Sequence, residues 1–124
     1  MINLGTYLDV RENSGAKKLQ CIKVLNKSKR KAASIGELIV VSISKKVIKK
    51  KSKIKTTKVH RAIIVNVKKT VKKKNGNLIR SGKNTAILVN NQKAPLATRI
   101  LGFVPYEVKL QGYSKLISIA NKCI

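Results

Sequence analysis

Two apolar runs in residues 59–91 flank a lysine-rich segment, and this arrangement leaves few folds open to the chain. The first run covers residues 62–67 and the second covers residues 85–89. Asn75-Gly76, a dipeptide typical of tight β-hairpin turns, lies between them. The pattern predicts two neighbouring strands joined through a long hairpin.

The lysine-rich segment, residues 68–82, is predicted to be a β-ribbon that projects from the fold. Val71, Lys73, Leu78 and Arg80 do not sort into one apolar and one polar face. The ribbon therefore cannot lie flat on a core. Because isolated two-stranded hairpins are marginally stable in water, we expect an anionic partner to hold it.

Three further runs, at 6–10, 19–25 and 38–44, predict short strands. In the second, alternation predicts that Leu19, Cys21 and Lys23 share one face. Aromatic residues make up only 3% of the chain, so its core must consist of Ile, Val and Leu, which favours strands. Five short strands separated by turn signals predict a small barrel.

The pattern changes after residue 91. Pro105 suits the first turn of a helix that runs to about Leu110, and Gly112 ends it. Residues 113–120 predict a second short helix, with a strand as the alternative. We therefore expect a single domain, residues 1–124, with a mainly β fold: a small five-stranded β-barrel with a projecting β-ribbon and two short C-terminal helices within residues 104–124.

Charge determines what such a domain can bind. The formal net charge is +25, and eighteen Lys and Arg residues lie between Glu37 and Glu107 without a carboxylate among them. A surface of one sign releases counterions when it meets phosphates, which predicts nucleic-acid binding. A membrane surface would require an amphipathic helix with a wide apolar face, and the basic segments lack one.

The predicted contact residues lie in three basic segments. Residues 45–58 hold eight lysines and are predicted to be an extended loop that becomes ordered on a partner. The expected RNA contacts are Lys29, Arg30 and Lys31; Lys45, Lys46, Lys49, Lys50, Lys51, Lys53 and Lys55; and Lys72, Lys73, Lys74 and Arg80.

The scarcity of aromatic residues also indicates the kind of nucleic acid. Proteins that bind single strands stack bases on exposed aromatic rings. Folded, largely A-form RNA, recognised through phosphates and 2′-hydroxyls, fits this chain better. A nucleic-acid-compacting barrel and a cationic membrane-active protein are the alternatives.

Catalytic patterns are not found in the sequence. The chain has one histidine, His60, and four scattered carboxylates, too few for positioned acid-base pairs. Cys21 and Cys123 show neither metal-ligand spacing nor a disulfide framework, which favours a reducing compartment. We predict that the chain is not an enzyme and has no cofactor. Its first residues carry no basic leader, so we expect no targeting segment.

Several segments match the pattern of one family. They are E-N-S-G-A at 12–16, C-I-K-V-L at 21–25, A-I-I-V at 62–65, N-L-I-R at 77–80, A-I-L-V-N-N at 86–91, T-R-I-L-G at 98–102 and S-K-L-I-S-I-A at 114–120. Together they resemble the universal large-subunit ribosomal protein fourteen. Ser81 and Phe103 depart from the family, which carries an aromatic and a proline there.

This resemblance implies a structural constituent of the large ribosomal subunit that binds large-subunit rRNA and helps to form intersubunit bridges to small-subunit rRNA. It also implies that ribosomal proteins three and nineteen are neighbours. A ribosome-silencing factor is an implied partner at Thr98, Arg99 and Lys115.

Lysine, asparagine and isoleucine supply about two fifths of the residues, as expected of a very AT-rich genome. This bias, with the missing leader, favours an organelle-encoded protein, with a mitochondrion preferred to a plastid and the bacterial cytoplasm as the alternative.

Overall fold

The computed structural model describes residues 2–10, 16–25, 32–46, 59–73, 75–90, 92, 94–96, 99–110 and 112–123. These residues form nine strands and two short helices. In chain order they are β1 (Tyr7–Val10), β2 (Ala16–Val24), β3 (Leu38–Lys46), β4 (His60–Asn66), β5 (Val71–Lys72), β6 (Leu78–Ile79), β7 (Thr85–Val89), β8 (Ile100–Val104), α1 (Glu107–Leu110), α2 (Ser114–Ser118) and β9 (Ala120–Cys123).

Five of the strands close into a barrel in the order β1-β2-β3-β4-β7. Neighbouring strands are antiparallel except at the closure, where β1 runs parallel to β7 and Asp9 pairs with Thr85. The mainly β fold, the five-stranded barrel and the two short helices predicted from the sequence are confirmed. The strand predicted at 85–89 has the bounds of β7.

A β-bulge in β2 makes one predicted face wrong. Cys21 pairs with Val41 and Lys23 pairs with Val40, so Ile22 is an extra residue between them. An inserted residue reverses the alternation of side chains beyond it. Leu19 and Cys21 are buried as predicted, whereas Lys23 lies on the exposed outer side of the barrel.

The core is aliphatic and is densest around β4 and β7. Ala62 to Val67 and all of β7 are buried, although a barrel strand with a solvated outer face would alternate. Their outer faces are therefore covered. Residues of the C-terminal segment, among them Ile100, Val104 and Leu116, belong to the same apolar cluster.

The C-terminal segment is a small unit in which β8 and β9 form a parallel two-stranded sheet, with α1 and α2 between them in the chain. Residues 104–124 were predicted to be helical, but β8 extends to Val104 and β9 occupies Ala120–Cys123. The strand results from pairing with a distant segment, since Ala120 pairs with Ile100. Neither described helix is long or apolar enough to cross a membrane.

Gly112 ends α1 through a Schellman motif. Its N–H donates to the Lys109 carbonyl at 3.0 Å, and the Tyr113 N–H donates to the Val108 carbonyl at 3.3 Å. Gly112 has a φ of 97°, the left-handed region that this motif requires. Val108 and Tyr113 are both buried, which supplies the hydrophobic contact that accompanies the motif.

We expect Gly112→Ala to lower the free energy of unfolding by about 1 kcal/mol, because a Cβ is disfavoured at this φ although the surrounding space is open. Gly82→Ala is the matched control, since Gly82 also faces open space but lacks a left-handed φ. It should be neutral or slightly stabilising, by up to about 1 kcal/mol. Urea unfolding of both variants measures the difference, and equal effects would contradict the motif's role.

Candidate nucleic-acid interface

The β-ribbon is a separate two-stranded sheet in which β5 pairs with β6. Its turn is closed by the Lys73 N–H, which donates to the Asn77 carbonyl at 2.7 Å, and by the Gly76 N–H, which donates to the Lys73 carbonyl at 3.0 Å. Gly76 has a φ of 89°, and Asn75 Oδ1 accepts from the Asn77 N–H at 3.0 Å. Asn and Gly thus shape the turn as their sequence positions predicted.

Hydrogen bonds fix the ribbon where it leaves the barrel. The Lys68 N–H donates to Asn84 Oδ1 at 2.8 Å, and the Ser81 N–H donates to the Val67 carbonyl at 3.1 Å. The Asn84 carbonyl in turn accepts from the Asp9 N–H of β1 at 2.9 Å. The position of the ribbon is therefore set at its base by the closing strands of the barrel.

The cations of the ribbon differ in their exposure. Lys72 and Arg80, both predicted contacts, are exposed, as are Lys68 and Lys69 at the base. The side chain of Lys73 is only 11% exposed, and its Nζ lies 3.8 Å from Glu107 Oε2 of α1. Lys73 therefore links the ribbon to the C-terminal unit, which no local pattern around residue 73 could have predicted.

Lys45 and Lys46 are the predicted loop residues whose backbone the structure describes. Both belong to β3, where Lys45 pairs with Lys18 and Lys46 pairs with Ala16, so the loop does not begin at residue 45. The remaining predicted contacts of the basic segments and ribbon turn lie outside the described residues: Lys29, Arg30, Lys31, Lys49, Lys50, Lys51, Lys53, Lys55 and Lys74.

The predicted partner contacts fall on the C-terminal unit. Arg99, which precedes β8, and Lys115, on α2, are both exposed, whereas Thr98 lies outside the described residues. The Ile100 N–H donates to the Ile119 carbonyl at 3.2 Å, which holds the start of β8 to the residue after α2. The two cations thus belong to segments that the fold fastens together.

Exposed cations also occur where no contact was predicted. Predicted and unpredicted together, the exposed cations among residues whose burial the structure describes are Lys17, Lys18, Lys23, Arg61, Lys68, Lys69, Lys72, Arg80, Lys83, Arg99, Lys109 and Lys115. Those on β2, Lys17, Lys18 and Lys23, lie outside the three basic segments from which the contacts were predicted. The bulge at Ile22, which turns Lys23 outward, is not visible in the sequence.

Few carboxylates are available to neutralise these cations. Asp9 Oδ2 lies 4.0 Å from Lys83 Nζ, Glu107 is engaged by Lys73, and Glu37 is partly buried. The described carboxylates are thus fewer than the exposed cations by a wide margin. A solvent-exposed pair such as Asp9 and Lys83 contributes at most about 1 kcal/mol, so most of the positive potential remains directed at the solvent.

The titratable groups of the core do not form a reactive site. Burial raises the pKa of the Cys21 thiol and that of the Tyr113 hydroxyl, which keeps both in their neutral forms at physiological pH. A thiol is nucleophilic or metal-binding only as the thiolate. No group of three or more His, Cys, Asp or Glu side chains suited to a metal ion occurs among the described residues. Anion binding is the chemistry that this surface supports.

The sequence of the chain matches the model of a known protein family. The family model described as "Ribosomal protein L14p/L23e" matches residues 1–124, which is the whole chain.

We expect the Lys73–Glu107 pair to couple the ribbon energetically to α1. In a double-mutant cycle of Lys73→Gln and Glu107→Gln, measured by urea unfolding at low salt, the coupling should be favourable by about 1 kcal/mol, because the Lys73 side chain is only 11% exposed. The control cycle is Lys83→Gln with Asp9→Asn, where the lysine is far more exposed and the coupling should be only about 0.2 kcal/mol. A coupling no larger than that of the control would show that the pair does not hold the ribbon.

Proposed function

Because the chain belongs to the ribosomal protein L14p/L23e family and is a structural constituent of the large ribosomal subunit, we propose that large-subunit rRNA holds it there by neutralising its cationic surface. The observation that carries this proposal is the imbalance between exposed cations and carboxylates in the described part of the chain. The net charge of +25 opposes compaction, and dense RNA phosphate is the counter-charge that removes this cost.

In this proposal the barrel acts as a scaffold, and the basic segments connected to it contact the RNA. The barrel has an aliphatic core, while the ribbon presents Lys72 and Arg80 away from it. Contacts made by such projections are mostly to phosphates, which position a protein without reading sequence. A ribbon with exposed cations suits A-form RNA, whose wide, shallow minor groove displays 2′-hydroxyls and is bordered by phosphates. The lysines of residues 45–58 serve the same purpose in this proposal.

Two further roles follow from the family resemblance. The chain contributes to intersubunit bridges with small-subunit rRNA and lies beside ribosomal proteins three and nineteen. The C-terminal unit is the proposed contact for a ribosome-silencing factor, through Thr98, Arg99 and Lys115. The exposure of Arg99 and Lys115 on segments fastened to one another supports this assignment. The chain has a structural rather than an enzymatic role in this proposal.

The residue bias supports an organellar origin. Only five of the 29 basic residues are arginine. An AT-rich genome favours lysine over arginine, and we propose that the gene belongs to an organelle, with the mitochondrion favoured over the plastid. A gene of ordinary base composition on a nuclear chromosome would contradict this origin.

We expect Lys72→Gln to reduce the salt dependence of binding to large-subunit rRNA. Removing one phosphate contact lowers the slope of log K against log salt by about 0.7–0.9. Lys73→Gln is the matched control because it removes the same charge from a side chain that is turned toward Glu107, and it should change the slope less. Filter binding over a range of KCl concentrations gives both slopes. Wild-type affinity that does not depend on salt would refute electrostatic rRNA binding.

We expect Arg99→Lys to weaken the association of the large and small subunits roughly tenfold, the loss that corresponds to one charge-assisted hydrogen bond. A lysine ammonium keeps the charge but cannot reproduce the planar fork of arginine. Arg61→Lys, an exposed arginine on β4, is the control. Light scattering at several Mg²⁺ concentrations measures the association, and normal joining by Arg99→Lys particles would contradict the role of the fork.

A further inference from the structure

Tyr7, at the start of β1, differs from the other aromatic residues of the chain. Its side chain is 58% exposed, whereas Tyr113 is buried and Phe103 is partly buried. Tyr106 is also 45% exposed, but the ammonium of Lys109 lies over its ring, 5.6 Å from the centroid. No described residue donates to or accepts from the Tyr7 hydroxyl. Tyr7 is thus an open aromatic ring on the outer side of the barrel.

The residues of β2 opposite this ring and on one of its diagonals are uncharged. Tyr7 pairs with Gln20 of β2, so the two share the outer face, and Ile22 lies diagonally across from Tyr7. The Gly5 N–H donates to the Cys21 carbonyl at 2.8 Å, and Leu4, which directly precedes Gly5, is exposed. Ile22 follows the buried Cys21 and therefore lies on the outer side of the barrel, where it is 44% exposed.

Two exposed lysines of β2 bracket the ring. At about 3.3 Å per strand residue, the Cα of Lys18 lies about 7 Å and that of Lys23 about 10 Å from the Cα of Gln20, on opposite sides of it. Asp9 is opposite Lys18 in the strand register, and its carboxylate lies 4.0 Å from the ammonium of Lys83. The surroundings combine a π-face with two cations, which are the two elements that hold an unstacked nucleotide and its flanking phosphates.

We propose that Tyr7 stacks an unpaired base of RNA. Leu4 and Ile22 pack against the base or its ribose, and Lys18 and Lys23 contact the phosphates on either side. This proposal rests on the rRNA binding proposed above. It adds the recognition of one unpaired nucleotide to a surface otherwise suited to helical RNA. The few aromatic residues exclude an extended stacking platform but leave room for one stacked base.

An RNA base fits this site better than a partner protein does. Stable protein interfaces draw on about 20–30 residues a side, whereas the exposed apolar residues described at this place are three, Leu4, Tyr7 and Ile22. The described rim carries Lys18 and Lys23 against one carboxylate, that of Asp9, which lies near Lys83, and this excess of positive charge favours an anionic occupant. Aromatic rings and flanking cations together are the usual means by which proteins hold extruded bases.

The test uses the full chain and two RNA probes, a single-stranded octamer with a central 2-aminopurine and a 12-base-pair A-form duplex. Tyr7→Ala should weaken octamer binding about 5- to 100-fold, the loss expected for one stacked base, and abolish the quenching of 2-aminopurine fluorescence. Tyr7→Phe, which keeps the ring, should bind like the wild type. Tyr106→Ala is the control for an exposed tyrosine elsewhere. Duplex affinity should change less than twofold in all three variants.

The outcomes separate this site from the general function. Unchanged octamer binding and quenching by Tyr7→Ala, with duplex binding intact, overturns the stacking site and leaves rRNA binding standing. If the wild-type chain binds neither probe, the proposed function and the site fall together. If Tyr7→Ala binds both RNAs normally but no longer associates with another large-subunit protein, the patch is a protein interface and the proposal is wrong. Thermal unfolding confirms that each variant is folded.

Discussion

A closed aliphatic barrel must hold together a chain whose charges repel one another. With a formal net charge of +25, electrostatics opposes every compact arrangement of this sequence. The favourable term is the burial of Ile, Val and Leu, concentrated in β4 and β7, where both faces are covered. The ribbon and the C-terminal unit both depend on this core, since one leaves the barrel between β4 and β7 and the other belongs to the same apolar cluster.

The parts of the fold that the sequence predicted are those decided locally. The run at 85–89 is apolar after Thr85 and is buried on both faces, and it has the bounds of β7. The turn at Asn75-Gly76 was predictable because its backbone conformation requires those residue types. The burial of Leu19 and Cys21 on one face of β2 was predictable because the polar Gln20 lies between them.

Other features depend on contacts between distant residues. Lys23 faces outward because a bulge at Ile22 resets the alternation, and nothing in residues 19–25 indicates that insertion. β9 forms because it pairs with β8, beginning at Ile100, although the sequence of β9 has little strand character. In the sequence, Lys73 does not differ from the other lysines of the ribbon, because Glu107, its ion-pair partner, is distant in the chain. The small number of aromatic residues excludes an extended stacking platform, but composition does not show that the ring of Tyr7 is exposed.

The parallel pairing of β1 with β7 has a consequence for how the chain is made. Asp9 of β1 pairs with Thr85 of β7, so β1 is synthesised long before the strand that completes its hydrogen bonding. Such non-local pairing is slow, and incomplete sheets expose strand edges. The nascent chain therefore remains an incomplete and strongly basic sheet until β7 has been synthesised. During that interval, the positive charge of one nascent chain repels that of another, which opposes aggregation through the unpaired strand edge.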